Sequence, residues 1–351
     1  MNEITINDRV IGSGHPVYII AEMSANHGQD FDQAARIIEA AKEAGADAVK
    51  LQTYTPDTLT IACDNEYFRI KGTIWEGRPL YDLYGEAYTP WEWQPQLKEI
   101  ADRLGIILFS TPFDVTAVEF LEGMDVPAHK VASFELVDLA LLERIGATGK
   151  PVIMSTGMAS LAEIDEAVAT LRRAGAGGIG LLKCTSAYPA QAADMNLCTI
   201  PHLAETFGVV AGLSDHTTGL AAPVAAVALG AAIIEKHFTL GRAAGGPDSA
   251  FSLEPHEFAA MVAAVRETEQ ALGRVCYESS AAEEKSRAFR RSLFVVEDVL
   301  AGEVLTSENI RSIRPGYGLA PKYLGQVLGR RSSRAIRRGT PLGWEMVGGL
   351  P

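Results

Sequence analysis

Two histidines in this chain are placed where they can share one metal ion. His216 and His237 each end a short apolar run, VVAGLSDH and AIIEKH. If these runs form neighbouring parallel strands, both imidazoles reach the same edge of the sheet. Two imidazoles with open coordination positions suit a divalent metal that also binds water or a substrate oxygen. A hydrogen-bonded core histidine is the alternative at each position, but a pair on adjacent strands favours the metal site.

Lysines within the predicted strands indicate an anion-binding pocket. Lys50 and Lys130 lie inside the second and fourth apolar runs, where a lysine is costly to bury unless it is paired or used. The possible uses are a Schiff base with a carbonyl or a cradle for phosphate and carboxylate. Hydroxyl side chains near the same strand ends favour the cradle: Ser110, Thr111, Ser133, Ser155, Thr156, Ser186 and Ser214. Ion pairing with Glu22 or Glu235 is the alternative role for these lysines.

Three carboxylates also follow predicted strands. Glu22, Glu135 and Asp248 can serve as general acid, general base or acceptor for a sugar hydroxyl. Asp248 lies in the turn GGPDSAFS, where glycines allow a backbone to approach a ligand closely, or simply mark a loop. The chain contains no GxGxxG or GxxxxGK[ST] motif. The sequence therefore gives no support for dinucleotide or Walker-type nucleotide binding.

Eight apolar runs, each ending in polar residues, must position these side chains. They are VYIIAE (17–22), DAVKLQ (47–52), IILFST (106–111), AHKVAS (128–133), PVIMST (151–156), GIGLLKC (178–184), VVAGLSDH (209–216) and AIIEKH (232–237). Helical segments lie between them, such as DFDQAARIIEAAKEAG, which Asp30 can cap and Gly45 can end. Alternating strands and helices predict a parallel sheet with right-handed crossovers. Eight repeats favour an α/β fold closed as a (β/α)8 TIM barrel, with the chemistry at its C-terminal rim, over an open doubly wound sheet.

Two segments interrupt this repeat. Residues 53–90 separate the second strand from its helix, and their aromatic content predicts a flap that either shapes a substrate pocket or only packs on the barrel. After residue 273 the composition changes. We predict a catalytic barrel over residues 1–273, a polar linker over 274–290 and a small β-rich domain over 291–351. A domain of about 60 residues is marginal alone, so we expect it to dock on another surface.

Composition limits the possible partners and the compartment. The net charge of −13 disfavours nucleic acid and anionic membranes, which require a basic face. The start MNEITINDRV lacks the basic and apolar regions of a signal peptide, and no stretch reaches the ~20 apolar residues of a membrane span. The four cysteines include no CxxC pair, which favours reduced thiols. Together these features predict a cytoplasmic protein that acts on small molecules.

The motifs around the strand ends resemble those of a known family. They are IIAEMSANHGQDFDQA, GADAVKLQTY, FSTPFD, KVAS, MSTGMAS, LLKCTSAYP, GLSDHT, IEKHFTL and GGPDSAFSLEP, and together they resemble the sialic acid synthase family. The tail, SLFVVEDVLAGEVLTSENIRSIRPGYGL, resembles that family's C-terminal antifreeze-like (SAF) domain, so the resemblance spans essentially the full chain. Within the family, the segment NEYFRIKGTIWEGRPLYDLYGEAYTPWEW resembles the pseudaminic acid synthase branch more than the N-acetylneuraminic acid branch.

The resemblance implies a reaction and a cofactor. Phosphoenolpyruvate condenses with the open-chain aldehyde of 2,4-diacetamido-2,4,6-trideoxy-L-altrose, which gives a nine-carbon 2-keto acid and phosphate. A divalent metal is required, commonly Mn2+, with Mg2+ and Co2+ as alternatives. The second candidate is an N-acetylneuraminic or legionaminic acid synthase that uses N-acetylmannosamine or a related sugar.

The resemblance also implies roles for individual residues. His216 and His237 match the metal ligands. The positions that match the phosphoenolpyruvate site are Lys50, Thr111, Lys130, Ser133, Ser155, Tyr188 and Ser214. Those near the sugar, the metal-bound water or the reacting carbons are Glu22, Gln52, Glu135 and Asp248. Where the sialic branch has Asn before its YP motif, this chain has Ser186, which changes one contact on the sugar side.

Some assignments stay open at this point. We count Glu22, Glu135, Lys50 and Lys130 as catalytic, but the sequence does not decide which carboxylate is the general base. Arg314 matches an arginine that reaches into the partner subunit's site, which implies a domain-swapped homodimer. Other possible functions are a Schiff-base aldolase and a non-catalytic carbohydrate-binding protein.

Overall fold

The computed structural model describes residues 3–349 and divides the chain into two compact units, Met1–Gly273 and Arg274–Pro351. The strands of the first unit are β1 (Glu3–Ile6), β2 (Arg9–Gly12), β3 (Tyr18–Glu22), β4 (Ala48–Thr53), β5 (Ile107–Pro112), β6 (His129–Val131), β7 (Pro151–Ser155), β8 (Gly178–Cys184), β9 (Val210–Asp215) and β10 (Ile233–His237). Its helices are α1 (Phe31–Glu43), α2 (Pro56–Leu59), α3 (Leu80–Ala87), α4 (Gln94–Leu104), α5 (Val115–Gly123), α6 (Leu139–Gly146), α7 (Leu161–Ala174), α8 (Thr199–Phe207), α9 (Ala221–Ala228) and α10 (Pro255–Leu272).

Strands β3 to β10 close into a parallel barrel in which β10 pairs with β3. Each of the eight apolar runs forms one of these strands, so the predicted TIM barrel is confirmed. The helices between them begin and end where local chemistry predicts. In α1, the side chain of Asp30 accepts a hydrogen bond from the backbone N–H of Gln33 at 3.0 Å. Just past the end of α1, Gly45 has a φ of +91°, a conformation that glycine adopts without steric cost.

The N-terminal end of the barrel is covered by a hairpin that the sequence analysis did not predict. Strands β1 and β2 pair antiparallel, and they insert Ile4, Ile6 and Ile11 into the barrel interior. The interior at that end is otherwise filled by buried apolar side chains, including Tyr18 and Phe109. Because this end is closed by apolar packing, the polar interior of the barrel lies towards the C-terminal ends of the strands.

The second unit has a small core of its own. It contains α11 (Ala281–Ser286), β11 (Ser292–Val295), β12 (Ile310–Ile313) and α12 (Leu324–Val327), and β11 pairs antiparallel with β12. Its core includes Leu293, Val299 and Leu305, all fully buried or nearly so. Residues 274–290, predicted as a polar linker, contain α11, where the side chains of Ser280 and Glu283 form a capping box.

Within residues 3–349, no helix has both the length and the apolar character needed to cross a membrane.

Candidate active site

Parallel pairing places the predicted residues at one rim of the barrel. In the register, His237 lies beside Glu22, and Glu22 lies beside Lys50. Gln52 lies beside Thr111 on the next pair of strands. Side chains alternate between the two faces of a strand, so residues two apart, such as Lys50 and Gln52, point to the same side. The polar strand ends therefore form a ring at the C-terminal end of the barrel.

A buried cluster of two lysines and two carboxylates occupies the centre of this ring. Lys50 Nζ lies 2.8 Å from Glu22 Oε2 and 3.5 Å from Glu235 Oε1. Lys130 Nζ lies 3.7 Å from the same oxygen of Glu235. All four side chains are at least nine-tenths buried. The formal charges of this cluster cancel, so the two lysines are paired in the absence of substrate.

The charges within the cluster oppose the effect of burial to different extents. For Glu22 burial prevails and raises the pKa to about 7, although Lys50 opposes this rise. Burial opposes the charge on Glu235, but Lys130 and Lys50 outweigh it and hold the pKa of Glu235 below its ordinary value. Burial likewise opposes the charge on Lys50, but Glu22 and Glu235 outweigh it and raise the pKa of Lys50. Burial lowers the pKa of Lys130, although Glu235 opposes this shift. The last three shifts show that Glu235 is the shared counter-ion of both lysines.

Hydroxyl groups complete the surroundings of both lysines. Lys50 Nζ donates a hydrogen bond to Thr111 Oγ1 at 3.2 Å, and Lys130 Nζ donates to Ser155 Oγ at 2.7 Å. Ser214 Oγ donates to Glu235 Oε1 at 3.3 Å. A neighbouring pair of hydroxyls, Ser133 and Ser186, lies 2.8 Å apart. The structure therefore brings three of the predicted hydroxyls, Thr111, Ser155 and Ser214, to the cluster. Two others lie elsewhere, since Ser110 pairs with Thr53 and Thr156 donates to the carbonyl of Leu182.

A chain of hydrogen bonds links the cluster to the loop after β10. Gln52 Nε2 donates to Glu22 Oε1 and to Ser24 Oγ, both at 2.9 Å. Ser24 in turn donates to the carboxylate of Asp248. Burial raises the pKa of Asp248, although the hydrogen bond from Ser24 opposes this rise. The carboxylates of Glu22 and Asp248, far apart in sequence, thus lie on one side of the pocket.

The two histidines lie side by side at the rim, with ring centroids 5.3 Å apart. His216 Nδ1 lies 2.9 Å from the carbonyl oxygen of Thr185, a contact that assigns the ring proton to Nδ1 and leaves Nε2 with a free lone pair. His237 Nδ1 is buried and has no hydrogen-bond partner among residues 3–349. Burial and the nearby charges of His216 and Lys50 hold the pKa of His237 well below its ordinary value. A neutral imidazole with a free nitrogen is the form that binds a metal, and His237 presents it. Burial opposes the charge on His216, but Cys184 and the carbonyl of Thr185 outweigh it and raise the pKa of His216, so a metal there would compete with a proton.

These histidines provide a partial metal site. In the described part of the chain, no group of three or more His, Cys, Asp or Glu side chains is arranged to hold a metal ion. A divalent ion at His216 and His237 would therefore take its remaining ligands from water or substrate, as a catalytic metal with open positions does.

Aromatic rings surround the two histidines. The ring of Tyr188 lies 4.5 Å from that of His216, and Phe251 lies 4.9 Å from His237. Tyr188 and Phe251 are 5.1 Å apart. Trp75, from the segment before α3, lies 5.9 Å from Tyr188. The long insertion after β4 therefore contributes a side chain to the wall of the pocket.

Glu135 stands apart from the lysine cluster. It begins a single helical turn, Glu135–Val137, that follows β6. Its Oε2 is buried and has no hydrogen-bond partner within residues 3–349. Burial raises the pKa of Glu135 to about 7, although its own backbone N–H and Lys130 oppose the rise. A carboxylate with a free oxygen and a pKa near neutrality is suited to move a proton.

Other polar residues near the strand ends lie outside this pocket. Lys236 points away from the barrel interior and pairs with Asp215 at 2.5 Å. Lys183 Nζ donates to the carbonyl of Cys184 at 2.7 Å. His27 Nε2 lies 3.2 Å from Thr89 Oγ1, which indicates a role in holding its loop. Arg314 follows β12 in the second unit, and its role in a partner subunit's site stays a prediction.

The central position of Glu235 is the main feature that sequence reasoning undervalued. Glu235 was considered only as a possible lysine partner, yet it contacts both lysines and Ser214. The signal was the alternation in the run AIIEKH, which places Glu235 and His237 on the same inward face and Lys236 on the other. Trp75 and Phe251 carried no comparable signal, because loops of irregular structure position both.

Comparison with known proteins agrees with this geometry. Residues 37–277 match the NeuB family, and residues 290–348 match the SAF domain. The chain belongs to the NeuB family. The resemblance to sialic acid synthases, including their SAF domain, is therefore confirmed.

Two relatives and one solved structure show which proteins the chain resembles. A pseudaminic acid synthase from Helicobacter pylori is 46% identical over 331 residues, which cover 93% of this chain and 96% of the relative. An N,N'-diacetyllegionaminic acid synthase from Legionella pneumophila is 36% identical over 96% of both chains. The crystal structure of an N-acetylneuraminic acid synthetase from Leptospira borgpetersenii matches with a TM-score of 0.73 and 35% identity, over 81% of this chain and 95% of that one.

Proposed function

We propose that this protein is a pseudaminic acid synthase, which condenses phosphoenolpyruvate with 2,4-diacetamido-2,4,6-trideoxy-L-altrose. The observation that carries the proposal is the rim itself. It contains two buried lysines, each hydrogen-bonded to a hydroxyl, beside two buried histidines with free ring nitrogens. The higher identity to the Helicobacter synthase than to the Legionella enzyme supports the pseudaminic branch over the legionaminic one.

The lysine cluster suits the charges of phosphoenolpyruvate. A carboxylate and a phosphate can take the places that Glu235 now holds beside Lys50 and Lys130. The hydroxyls of Thr111 and Ser155 already contact these lysines and would contact the substrate oxygens. Such a cradle fixes C3 of phosphoenolpyruvate against the aldehyde and lowers the entropic cost of bringing the two together.

His216 and His237 are the residues that would hold a divalent metal, which we propose to be Mn2+. When bound there, the metal would polarise the aldehyde oxygen of the sugar and add positive charge to a lysine cluster that is neutral overall. The Nε2 of His216 and the Nδ1 of His237 fit this role because neither is used by a protein partner among the residues described.

The reaction requires one proton acceptor at the water that attacks C2. Attack of C3 on the aldehyde carbon forms the new C–C bond and leaves positive charge at C2. Water adds there and gives up one proton, and the former aldehyde oxygen takes up a proton to become a hydroxyl. Cleavage of the bond between C2 and the phosphate oxygen then releases phosphate, and loss of the second water proton leaves the ketone. We propose Glu135 as the acceptor because its free oxygen forms no ion pair among residues 3–349, whereas Oε2 of Glu22 lies 2.8 Å from the charged Nζ of Lys50 and its Oε1 accepts a hydrogen bond from Gln52.

The decisive assay measures phosphate release from phosphoenolpyruvate with Mn2+, offering the 2,4-diacetamido-altrose sugar and N-acetylmannosamine in parallel. We expect turnover with the altrose sugar only. Turnover with N-acetylmannosamine would keep the chemistry but move the protein to the sialic branch. Absence of turnover with both sugars would contradict the proposed function.

We further propose that the active form is a domain-swapped homodimer in which Arg314 reaches the partner's site. The tail carries five arginines within residues 330–338, whereas the chain as a whole is acidic. The rim of the barrel also exposes apolar side chains that a partner can cover, since Phe134 is 59% exposed and Met158 is 60% exposed. A cytoplasmic location stays a prediction.

Complementation between inactive variants tests the swap. Lys130→Met disables the barrel, and Arg314→Ala disables the tail. If sites combine the barrel of one chain with the tail of its partner, co-expression of the two variants assembles hybrid dimers with one intact site each. We expect about a quarter of the wild-type activity from random pairing. A fully active monomer, or co-expressed variants that stay as inactive as each alone, would contradict the swap.

A further inference from the structure

All four tryptophans lie within the described residues, and among them only Trp75 contacts the ring of Tyr188. It lies in the insertion between β4 and α4, in the piece TIWEG. Its indole Nε1 donates a hydrogen bond to the carbonyl oxygen of Pro247 at 3.1 Å. Pro247 directly precedes Asp248, and Tyr188 packs against His216. One side chain therefore bridges the insertion, the loop after β10 and the ring beside the histidines.

The wall to which Trp75 contributes is aromatic, and the hydroxyl of Tyr188 is its polar group besides the indole N–H. The one hydrogen-bonding group of the indole is already used by Pro247, so only the ring surface faces its neighbours. Tyr188 and Phe251 extend the same aromatic surface around the histidine pair. On the other side of the pocket, Glu22, Gln52 and Asp248 offer polar atoms. A ligand in this pocket meets one polar wall and one aromatic wall.

We propose that Trp75 is a specificity-determining residue that selects a sugar whose chain end is a methyl group over one whose chain end carries a hydroxyl. This inference rests on the proposed function, in which the substrate is a 6-deoxy sugar. A methyl group packs on the indole and loses only contact with water. A hydroxyl in the same place loses its water partners, and the ring surface offers no replacement.

The competing explanation is that Trp75 only anchors the loop that carries Asp248. Anchoring would change turnover of both kinds of sugar by the same factor. Selection by the aromatic wall would instead change the ratio of the turnover of one sugar to that of the other. The ratio of kcat/KM values for the 6-deoxy sugar and its 6-hydroxy counterpart therefore distinguishes the two explanations.

Trp91 provides a matched control. It lies in the same insertion, and its indole Nε1 also donates to a backbone carbonyl, that of Tyr54, at 3.0 Å. Its ring packs against Phe120 and not against the residues of the pocket. Trp91→Ala therefore removes the same kind of anchor from the same segment without changing the aromatic wall.

The test measures kcat/KM for both sugars, with Mn2+ and saturating phosphoenolpyruvate. It compares the wild type with Trp75→Ala, Trp75→Gln and Trp91→Ala. We expect Trp75→Ala to lower the preference for the 6-deoxy sugar by about tenfold or more, since apolar pockets discriminate added hydroxyls by up to roughly 10². Trp75→Gln, which offers an amide to the hydroxyl, should raise the absolute kcat/KM for the 6-hydroxy sugar. Trp91→Ala should leave the preference unchanged, and the KM for phosphoenolpyruvate should stay constant in all three variants.

The outcomes separate this inference from the function on which it rests. A wild type that turns over neither sugar overturns the proposed function. If the wild type prefers the 6-deoxy sugar, two results would overturn the role of Trp75 and leave the proposed function intact. They are an unchanged preference in Trp75→Ala and a loss of preference in Trp91→Ala equal to that in Trp75→Ala. An increase with Trp75→Gln cannot arise from misfolding, so this variant keeps the test decisive if Trp75→Ala is unstable.

Discussion

Replacing Lys130 with methionine is expected to lower kcat/KM for phosphoenolpyruvate by about 10³-fold or more, since a buried charge aimed at a reacting anion can supply several kcal/mol. Methionine keeps the length of the side chain but removes the positive charge. It also removes the hydrogen bond to Ser155 at 2.7 Å and one of the two lysines that face Glu235. The remaining carboxylate would then repel the substrate that Lys130 now attracts.

Steady-state kinetics with varied phosphoenolpyruvate provide the measurement, and Lys183→Met provides the matched control. Lys183 lies on β8, two strands away from β6 in the barrel, and it donates to the carbonyl of Cys184 and not to the cluster. We expect the control to keep most of its activity. Equal losses in both variants, or full activity in Lys130→Met, would contradict the cradle. Borohydride trapping with pyruvate adds a check, because an adduct at either lysine would support a Schiff-base aldolase.

The lysine positions show which features of a strand can be predicted from the sequence. The cost of burying a lysine predicted either pairing or use, and the structure shows pairing: Lys50 and Lys130 share Glu235. Pairing is compatible with use, because a substrate anion can compete with Glu235 for both lysines. The alternation of side chains was sufficient to place Lys50 and Glu235 on the inner face, because strand periodicity is fixed by backbone geometry.

The loop contributions were not predictable in the same way. The link from Gln52 through Ser24 to Asp248 joins residues more than 190 positions apart in sequence, and only the folded loops bring them together. Trp75 reaches Tyr188 through an irregular segment with no period to interpret. The hairpin of β1 and β2 was likewise missed, because its two strands lie outside the repeat of strand and helix from which the barrel strands were predicted. Regular elements carry a periodic signal, whereas loops depend on contacts that form only in the folded chain.

Replacing His216 with alanine is expected to abolish turnover and to weaken Mn2+ binding together. Among residues 3–349, the histidines that offer free nitrogens at the rim are His216 and His237, so loss of one leaves a single histidine ligand. We expect kcat to fall by about 10³-fold or more, since the metal would supply several kcal/mol of charge stabilisation at the aldehyde oxygen. Calorimetric titration with Mn2+ measures the metal independently of activity. His27→Gln is the matched control, because His27 is also buried near the rim but contacts Thr89.

Metal affinity should also depend on the substrates. With only two protein ligands, the ion must complete its coordination with water or substrate oxygens, so we expect EDTA to remove it readily from the protein alone. If a substrate supplies a ligand to the ion, the substrate and Mn2+ strengthen each other's binding. Thermodynamic linkage requires that both affinities rise by the same factor. Titrations with each substrate separately would show which one supplies the oxygen. A wild type that keeps full activity in EDTA, or a His216→Ala variant that binds Mn2+ as tightly as the wild type, would contradict the metal site and leave the two imidazoles to act as hydrogen-bonding groups.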